Sequence, residues 1–382
     1  MKIVYICLCG LYMPGWSYQE NIMSKYQIQA GNTVSIITSE WVYDKTGKLI
    51  KCGENADDNG ARVIRLKIKA DRPFSYKLKR FVNLYETLCM EKPDLIFLHS
   101  PQLMDADIIC KYLENNKNVK LIVDNHCDEL NSAKNIFSRY ILHGIIWRRS
   151  VYLLSKYTDK FYGVTPARER FLENIYGLSP KKISLLPFGA DDDLVKRAKE
   201  EKAREYIREK YNIKKDEILL LTGGKIDHNK TETLELMEAV SELEQENVKL
   251  MIFGSVVPEL KEKFDIYLKS KNIIYIGWLD SDLIYNYFEA CDIVAFPGLH
   301  SVLWEQAVGA GKPCIFRKIE GFTHIDLNGN CEYFDVLTPE SIRNLLVNII
   351  GENMIEKMKA VAETKGKEFF SYKRIAQACI KK

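Results

Sequence analysis

Near-continuous runs of Val, Ile and Leu alternate with helical stretches twice along this chain, and few folds accept that rhythm. KIVYICL, NTVSIITS, ARVIRLKI, PDLIFLHS, VKLIVDNH, DKFYGVTP and KISLLPFGA read as strands of the first half. Ser17 to Gln29, FVNLYETLCMEK, DADIICKYLENN, Asn131 to Lys156 and Ala167 to Tyr176 read as the helices between them. Such strands belong to a parallel sheet covered by helices on both faces, because each crossover must return the chain to the same edge. A charged segment, Asp191 to Lys215, breaks the rhythm, which restarts with EILLLTGGK, VKLMIFGS, NIIYIGW, DIVAFPG and PCIFRK. At 382 residues the chain is longer than one core usually serves. The expectation is an α/β protein with Rossmann-like domains at 1–190 and 191–367, a linker near Gly189, and a C-terminal helix in 368–382 packing back on the first domain. Two doubly wound halves of this kind are expected to face a central cleft.

Composition narrows the classes. A net charge of +3 is too small for this length to argue for nucleic acid, and no run of about 18 apolar residues is present to span a membrane. The apolar N-terminus lacks a basic leader and a small-residue cleavage site, so it reads as a first buried strand. Ten cysteines without a secretory signal imply free thiols in a reducing compartment, and hence a cytoplasmic location. Cys7 and Cys9 are too close for a CxxC site, and no pair has zinc spacing, so no metal is assigned. Neither half has a GxGxxG after its first strand, which disfavours a nicotinamide dehydrogenase. Asp191-Asp192-Asp193 reads as the acidic first turn of a helix rather than a cation site.

GLHSVLWEQAVGAGKPCIF (Gly298 to Phe316) is the most informative stretch for function. It reads as a strand end, a helix starting at Ser301, a glycine stop and a new strand. A helix that starts where a parallel strand ends aims free N–H groups at the ligand crevice, where phosphate binds. Glu305, one turn in, is placed to accept two hydroxyl hydrogen bonds, as a ribose offers. In TGGKIDHNKTE, Gly223 and Gly224 allow a tight turn, while Lys225 and Lys230 can converge on a dianion such as a departing diphosphate. PGWSYQEN and VDNHCDE lie at strand ends of the first half, where His126, near Asp124 and Asp128, can bond a sugar hydroxyl or handle a proton.

Taken together, PGWSYQEN, DNHCDE through NSAKNIFSRYILHGIIWR, YGVTPAR, PFGADDD, TGGKIDHNK and HSVLWEQAVG resemble retaining glycosyltransferases of the GT-B fold. The likeness is to the glycosyltransferase family 4 group, and within it to a bacterial subgroup that builds surface polysaccharides. It implies a metal-independent, hexosyltransferase-type enzyme that needs no cofactor and uses a UDP- or GDP-linked sugar as donor. It further implies that Gly15 approaches the donor phosphate or the acceptor and that His126 contacts the transferred sugar. Lys225 and Lys230 then stand where the family usually has Arg and Lys on the diphosphate. Glu305 matches the ribose glutamate, and the amides around His300, Ser301 and Val302 match those capping the distal phosphate. Gly224 belongs to the turn at the ligand, while Gly254 and Gly277-Trp278-Leu279 fall where the base is expected. One departure stands out: eight positions before Glu305, where the family carries a second glutamate for the donor sugar, this chain has Pro297. His300, Glu320 and His324 are the candidates to replace it.

Arg65 to Phe81 holds seven basic residues and one acid among aromatic and aliphatic residues, a pattern suited to an anionic membrane. A glycan or lipid-linked acceptor at the inner face of the plasma membrane fits that pattern, whereas IFSRYILHGIIWRR reads as core. The competing reading is a non-catalytic nucleotide-sugar sensor or a partner subunit of a transferase, kept open by the absent glutamate. Epimerisation and phosphorolysis lack a supporting signature.

Overall fold

The computed structural model describes residues 1–44, 46–52, 56–69, 79–228, 231–243 and 247–380. The chain divides into two compact units, Met1–Pro187 with Ile375–Lys382, and Phe188–Arg374. Each is an α/β layer structure with a sheet buried between helices.

In the first unit, β1 (Lys2–Cys7), β2 (Thr33–Ser39), β6 (Ala61–Leu66), β7 (Leu95–His99), β8 (Lys120–Asn125), β9 (Thr158–Gly163) and β10 (Ile183–Leu185) are all parallel, and β5 (Ala56–Asp58) adds an antiparallel edge. The order is β10-β9-β8-β7-β1-β2-β6-β5. The chain therefore builds to one side of β1 first and then to the other, and the crossovers part between β1 and β7. Ile3, Val4, Tyr5 and Ile6 in β1 and Leu95 to Leu98 in β7 have no exposed surface, as a central pair covered on both faces requires. Two short strands, β3 (Trp41–Tyr43) and β4 (Leu49–Lys51), pair antiparallel beside this sheet. The last helix, Tyr372–Ile380, reaches this unit with its later part, where Gln27 Nε2 donates to the Ala376 carbonyl.

The second unit has six parallel strands: β11 (Ile218–Ile226), β12 (Val248–Val256), β13 (Ile273–Gly277), β14 (Ile293–Phe296), β15 (Cys314–Arg317) and β16 (Cys331–Phe334). Their order is β13-β12-β11-β14-β15-β16, so the crossovers part between β11 and β14. The charged stretch after the boundary forms two helices, Asp192–Glu200 and Ala203–Lys210. Asp191 caps the first by accepting from Asp193 N, and Asp192 accepts from Ser371 Oγ at 2.6 Å and Lys373 N at 2.9 Å. These acids therefore terminate a helix and tether a returning segment.

Three local features differ from the sequence-based expectation. The helix expected from Ser301 begins at Leu303 and is buried from Trp304 to Gly309, because the segment 362–370 covers it. A Cβ on Gly309 would meet the Phe370 carbonyl at 2.9 Å, and one on Gly366 would meet the Val308 carbonyl at 2.6 Å. The helix expected over Asn131 to Lys156 is π-helical over Phe137–Trp147 and α-helical over Arg148–Leu154. Its apolar residues, expected as core, are largely exposed, among them Ile136, Phe137, Tyr140, Ile141 and Ile145.

Gly224 and Gly254 sit opposite one another in the β11–β12 register, with φ of 114° and 113°. A Cβ on Gly254 would overlap the Gly224 carbonyl, whereas one on Gly277 (φ 73°) would meet open space. Gly254→Ala is expected to lower stability by about 3 kcal/mol or more, and Gly277→Ala by about 1 kcal/mol, from backbone strain alone. Urea unfolding of the two variants checks that difference.

Candidate functional site

The parting of the crossovers in each sheet leaves a crevice at the carboxyl ends of the strands, where open α/β sheets bind ligands. In the second unit, β11 runs into Gly223, Gly224 and Lys225, and the neighbouring β14 runs into the loop before the helix Leu303–Gly309. The Lys225 ammonium is exposed and lies 3.7 Å from Asp227 Oδ2, a long surface ion pair of small net value. Lys230 lies outside the described residues. No side chain caps the N-terminus of the helix Leu303–Gly309. His300 is nearly buried, while Ser301 and Val302 are half-exposed.

Glu305 has no exposed surface. Its Oε1 meets His300 Nε2 at 2.8 Å and His324 Nε2 at 2.9 Å, so one oxygen is shared by two imidazoles. Burial alone would raise its pKa, but the two histidines outweigh burial and bring it to about 2. Oε2 is buried and finds no partner among the described residues. An unmade hydrogen bond on a buried oxygen costs about 1–3 kcal/mol, so this atom is a ready acceptor for a donor that reaches it. Oε2 is therefore the Glu305 oxygen left to accept the hydroxyl bonds expected from the sequence. His300 and His324, candidates for the sugar ring, each meet Glu305 through Nε2, and Glu320 is exposed.

Gly277 closes β13, followed by exposed Trp278 and half-buried Leu279. Tyr275 Oη donates to the Gly254 carbonyl at 2.8 Å and ties β13 to its neighbour. From β14 to β13 is three strand spacings, about 14 Å, which separates these residues from Glu305 along one sheet edge.

In the first unit, Gly15 has φ 74° and donates its N–H to Asp58 Oδ1 at 3.0 Å. Asp58 also accepts from the Tyr12 hydroxyl and from Asn21 Nδ2, so this one carboxylate ties Tyr12, Gly15 and Asn21 together. His126 is half-exposed beyond β8, with Nε2 at 3.1 Å from Asp124 Oδ2. The same oxygen lies 2.7 Å from Nδ1 of buried His99, at the end of β7. These three side chains have donor atoms within 4.8 Å of one another. A separation of 2.7 Å is nevertheless that of an ion pair, since two ligands of one tetrahedral metal sit about 3.3 Å apart. Burial raises Asp124 and opposes charge on His99, yet their mutual attraction wins: Asp124 is held well below the carboxylate range and His99 lies above the ordinary imidazole value.

Two cavities open on this edge, of about 400 Å³ and about 240 Å³, sharing Cys9, Gly10, Leu11, Lys79, Gln102 and Cys127. His99 and His126 line the smaller one. Gln102 is buried, donates from Nε2 to Tyr176 Oη (2.8 Å) and Asn125 Oδ1 (3.1 Å), and has an Oε1 with no partner among the described residues. Tyr176 bonds His143 Nδ1 at 2.7 Å, and His143 Nε2 meets Ser132 Oγ at 2.9 Å. Burial, with Lys79 nearby, lowers His143 to about 4, so the network runs through a neutral ring. Asp58, His99, Gln102 and Tyr176 escaped sequence reading because each owes its role to partners distant in the chain. Of them only His99, a polar residue ending an apolar strand, carried a local signal.

A raised folded-state pKa means that His99 stabilises the first unit fully below its ordinary value of 6.5 and loses that contribution as pH rises through the folded-state value. The stability difference between wild type and His99→Gln in urea should therefore be larger near about pH 5.5 than near about pH 8.5.

Residues 203–334 match the family model described as glycosyl transferases group 1. No curated protein sequence matches the chain. Among solved structures, a glycosyltransferase from Rickettsia africae superposes with a TM-score of 0.67 at 17% identity, covering 99% of this chain and 96% of that one. Anabaena Alr3699/HepE in complex with UDP gives a TM-score of 0.68 at 14% identity, with 99% and 98% covered. WaaG, a glycosyltransferase involved in lipopolysaccharide biosynthesis, gives 0.65 at 15% identity, with both chains covered completely (100%). The chain has the GT-B fold.

Proposed function

We propose that this chain, with a glycosyl transferases group 1 region in its second unit and the GT-B fold over its length, transfers a sugar from a nucleotide diphosphate to an acceptor hydroxyl. The observation that carries the reading is the pairing, at the ends of adjacent strands at the crossover gap of the second unit, of a glycine–lysine strand end with a buried carboxylate, Glu305, one of whose oxygens has no partner among the described residues. Glu305 Oε2 accepts from the ribose, Lys225 faces the diphosphate, and Trp278 with Leu279 meets the base. HepE binds UDP, which supports a uridine donor here, with GDP as the alternative. Because Glu305 is covered in the free chain, nucleotide entry has to displace its surroundings before the ribose reaches Oε2.

As the glycosidic bond breaks, negative charge grows on the departing diphosphate, and fixed ammoniums stabilise it in place of a metal ion. His126, held by Asp124 at the edge of the first unit, contacts the sugar as it develops cationic character. The cavities beside Gln102 and Lys79 receive the acceptor, and Gly15 shapes the loop above it. Retention is the proposed stereochemical outcome, with Pro297 in place of the usual acid leaving the sugar ring to other contacts. The proposed setting is bacterial surface-glycan synthesis at the cytoplasmic face of the membrane, with a glycan or lipid-linked acceptor. Among the described residues no helix is long and apolar enough to cross a membrane.

Purified protein incubated with UDP- and GDP-sugars is expected to release free nucleotide diphosphate, and to continue doing so in EDTA. Tight binding of a nucleotide sugar with no turnover, with lipid-linked acceptors present, points to the sensor instead. Lys225→Ala and Glu305→Gln should each weaken nucleotide diphosphate binding by about ten-fold or more in calorimetry, a loss of about 1.4 kcal/mol. Lys225 is exposed, so its variant should keep the wild-type melting temperature. Unchanged affinity in both variants removes the donor site from this location.

A further inference from the structure

The helix that follows His126 presents its apolar residues the wrong way round for a water-facing element. Its inner face buries His143, Trp147, Ser150, Val151 and Leu154. Its outer face carries Ile136 (79% exposed), Phe137 (67%), Tyr140, Ile141, Ile145 (62%) and Tyr152. The wider π-helical turn keeps every fourth or fifth residue on one side, so these side chains form a ridge rather than scattered spots. Helices of soluble domains put polar residues outward, and a contiguous apolar ridge marks a surface with a partner.

Charge says what that partner is. Between Glu129 and Asp159 the chain has no acid, but it has Lys134, Arg139, Arg148, Arg149 and Lys156. Arg139 pairs with Glu129 at 3.8 Å, while Lys134, Arg148, Arg149 and Lys156 are exposed. An apolar ridge flanked by cations matches an anionic bilayer, with apolar side chains at the acyl boundary and cations among the headgroup phosphates. A second copy of the chain is a poor occupant, because a two-fold contact through this face would set like charges against each other.

We propose that residues 136–154 dock the first unit on an anionic lipid surface. This gives the membrane contact of the functional reading a location. The inner face of the same helix, through Leu142, His143 and Trp147, lines the larger cavity, with Lys79 5.1 Å above the Trp147 ring. The Arg65 to Phe81 segment expected to make this contact falls largely on residues 70–78, outside the described residues.

The test is co-sedimentation with vesicles of phosphatidylcholine alone or mixed with phosphatidylglycerol. Wild type should bind the mixed vesicles at least about ten-fold more tightly than the neutral ones. The combined variant Ile136→Ser, Phe137→Ser, Ile141→Ser, Ile145→Ser should lose at least about ten-fold in that affinity. Arg148→Glu with Arg149→Glu should lose the preference for phosphatidylglycerol. Both variants change exposed residues outside the donor site and should keep wild-type melting and nucleotide affinity, which separates a failed docking surface from a failed donor site. Wild type that ignores the mixed vesicles overturns the proposal, as does equal binding by the serine variant. A wild-type dimer in light scattering that the serine variant dissolves assigns the ridge to a second copy instead.

Discussion

A parallel strand buried on both faces can only be followed by a crossover, and where successive crossovers leave a central strand in opposite directions no connection covers its carboxyl end. Both units obey this constraint, at β1–β7 in one and β11–β14 in the other. It places the central candidate groups, whereas Gly254 and Gly277 to Leu279 lie further along the second sheet's edge. Gly224, Lys225 and Glu305 lie at the second gap, while Cys9, His99 and Gln102 lie at the first. The chemistry of the two edges differs. The second unit offers glycine backbone, an exposed ammonium and a clamped carboxylate, a set suited to a nucleotide diphosphate. The first offers cavities lined by apolar and polar groups that include Lys79, Glu20, His99 and His126, which the proposed reading gives to the acceptor.

Within the second unit, the two histidines on Glu305 change what that residue can do. A solvated glutamate would trade water for ribose at little gain. Glu305 is ionised in a buried site because His300 and His324 hold one oxygen, and its other oxygen has no partner among the described residues. The two histidines hold the carboxylate itself in place, so the rearrangement on binding falls on the groups that cover Oε2. It also joins three stretches of chain: the loop after β14, the helix Leu303–Gly309 and the turn Thr323–Ile325. A change in nucleotide occupancy at Oε2 would thus be felt at His324.

The strands were legible because their apolar runs are long and bounded by glycine, proline and charge. β3, β4 and β5 were not, since each is only three residues long and takes its stability from an antiparallel ladder to a neighbouring strand rather than from an apolar run of its own. β16 hid in a polar stretch for the same reason, as its ladder to β15 supplies what NCEYF lacks in pattern. Periodicity found the helix after His126 but misassigned its faces. Hydrophobicity says that a residue avoids water without saying what it will meet instead, and Ile136, Phe137 and Ile145 are largely exposed. Glu305 was found from its position one turn into a helix after a strand, whereas its two histidine partners required the fold.

The central claim, that the gap between β11 and β14 holds a nucleotide diphosphate, is tested most directly by hydrogen–deuterium exchange of the whole protein with and without UDP or GDP. Protection confined to the peptides containing Gly223 to Asp227, Gly277 to Leu279 and His300 to Glu305 is the expected result. Protection of other strand ends, or none at ligand concentrations that saturate binding, would contradict it.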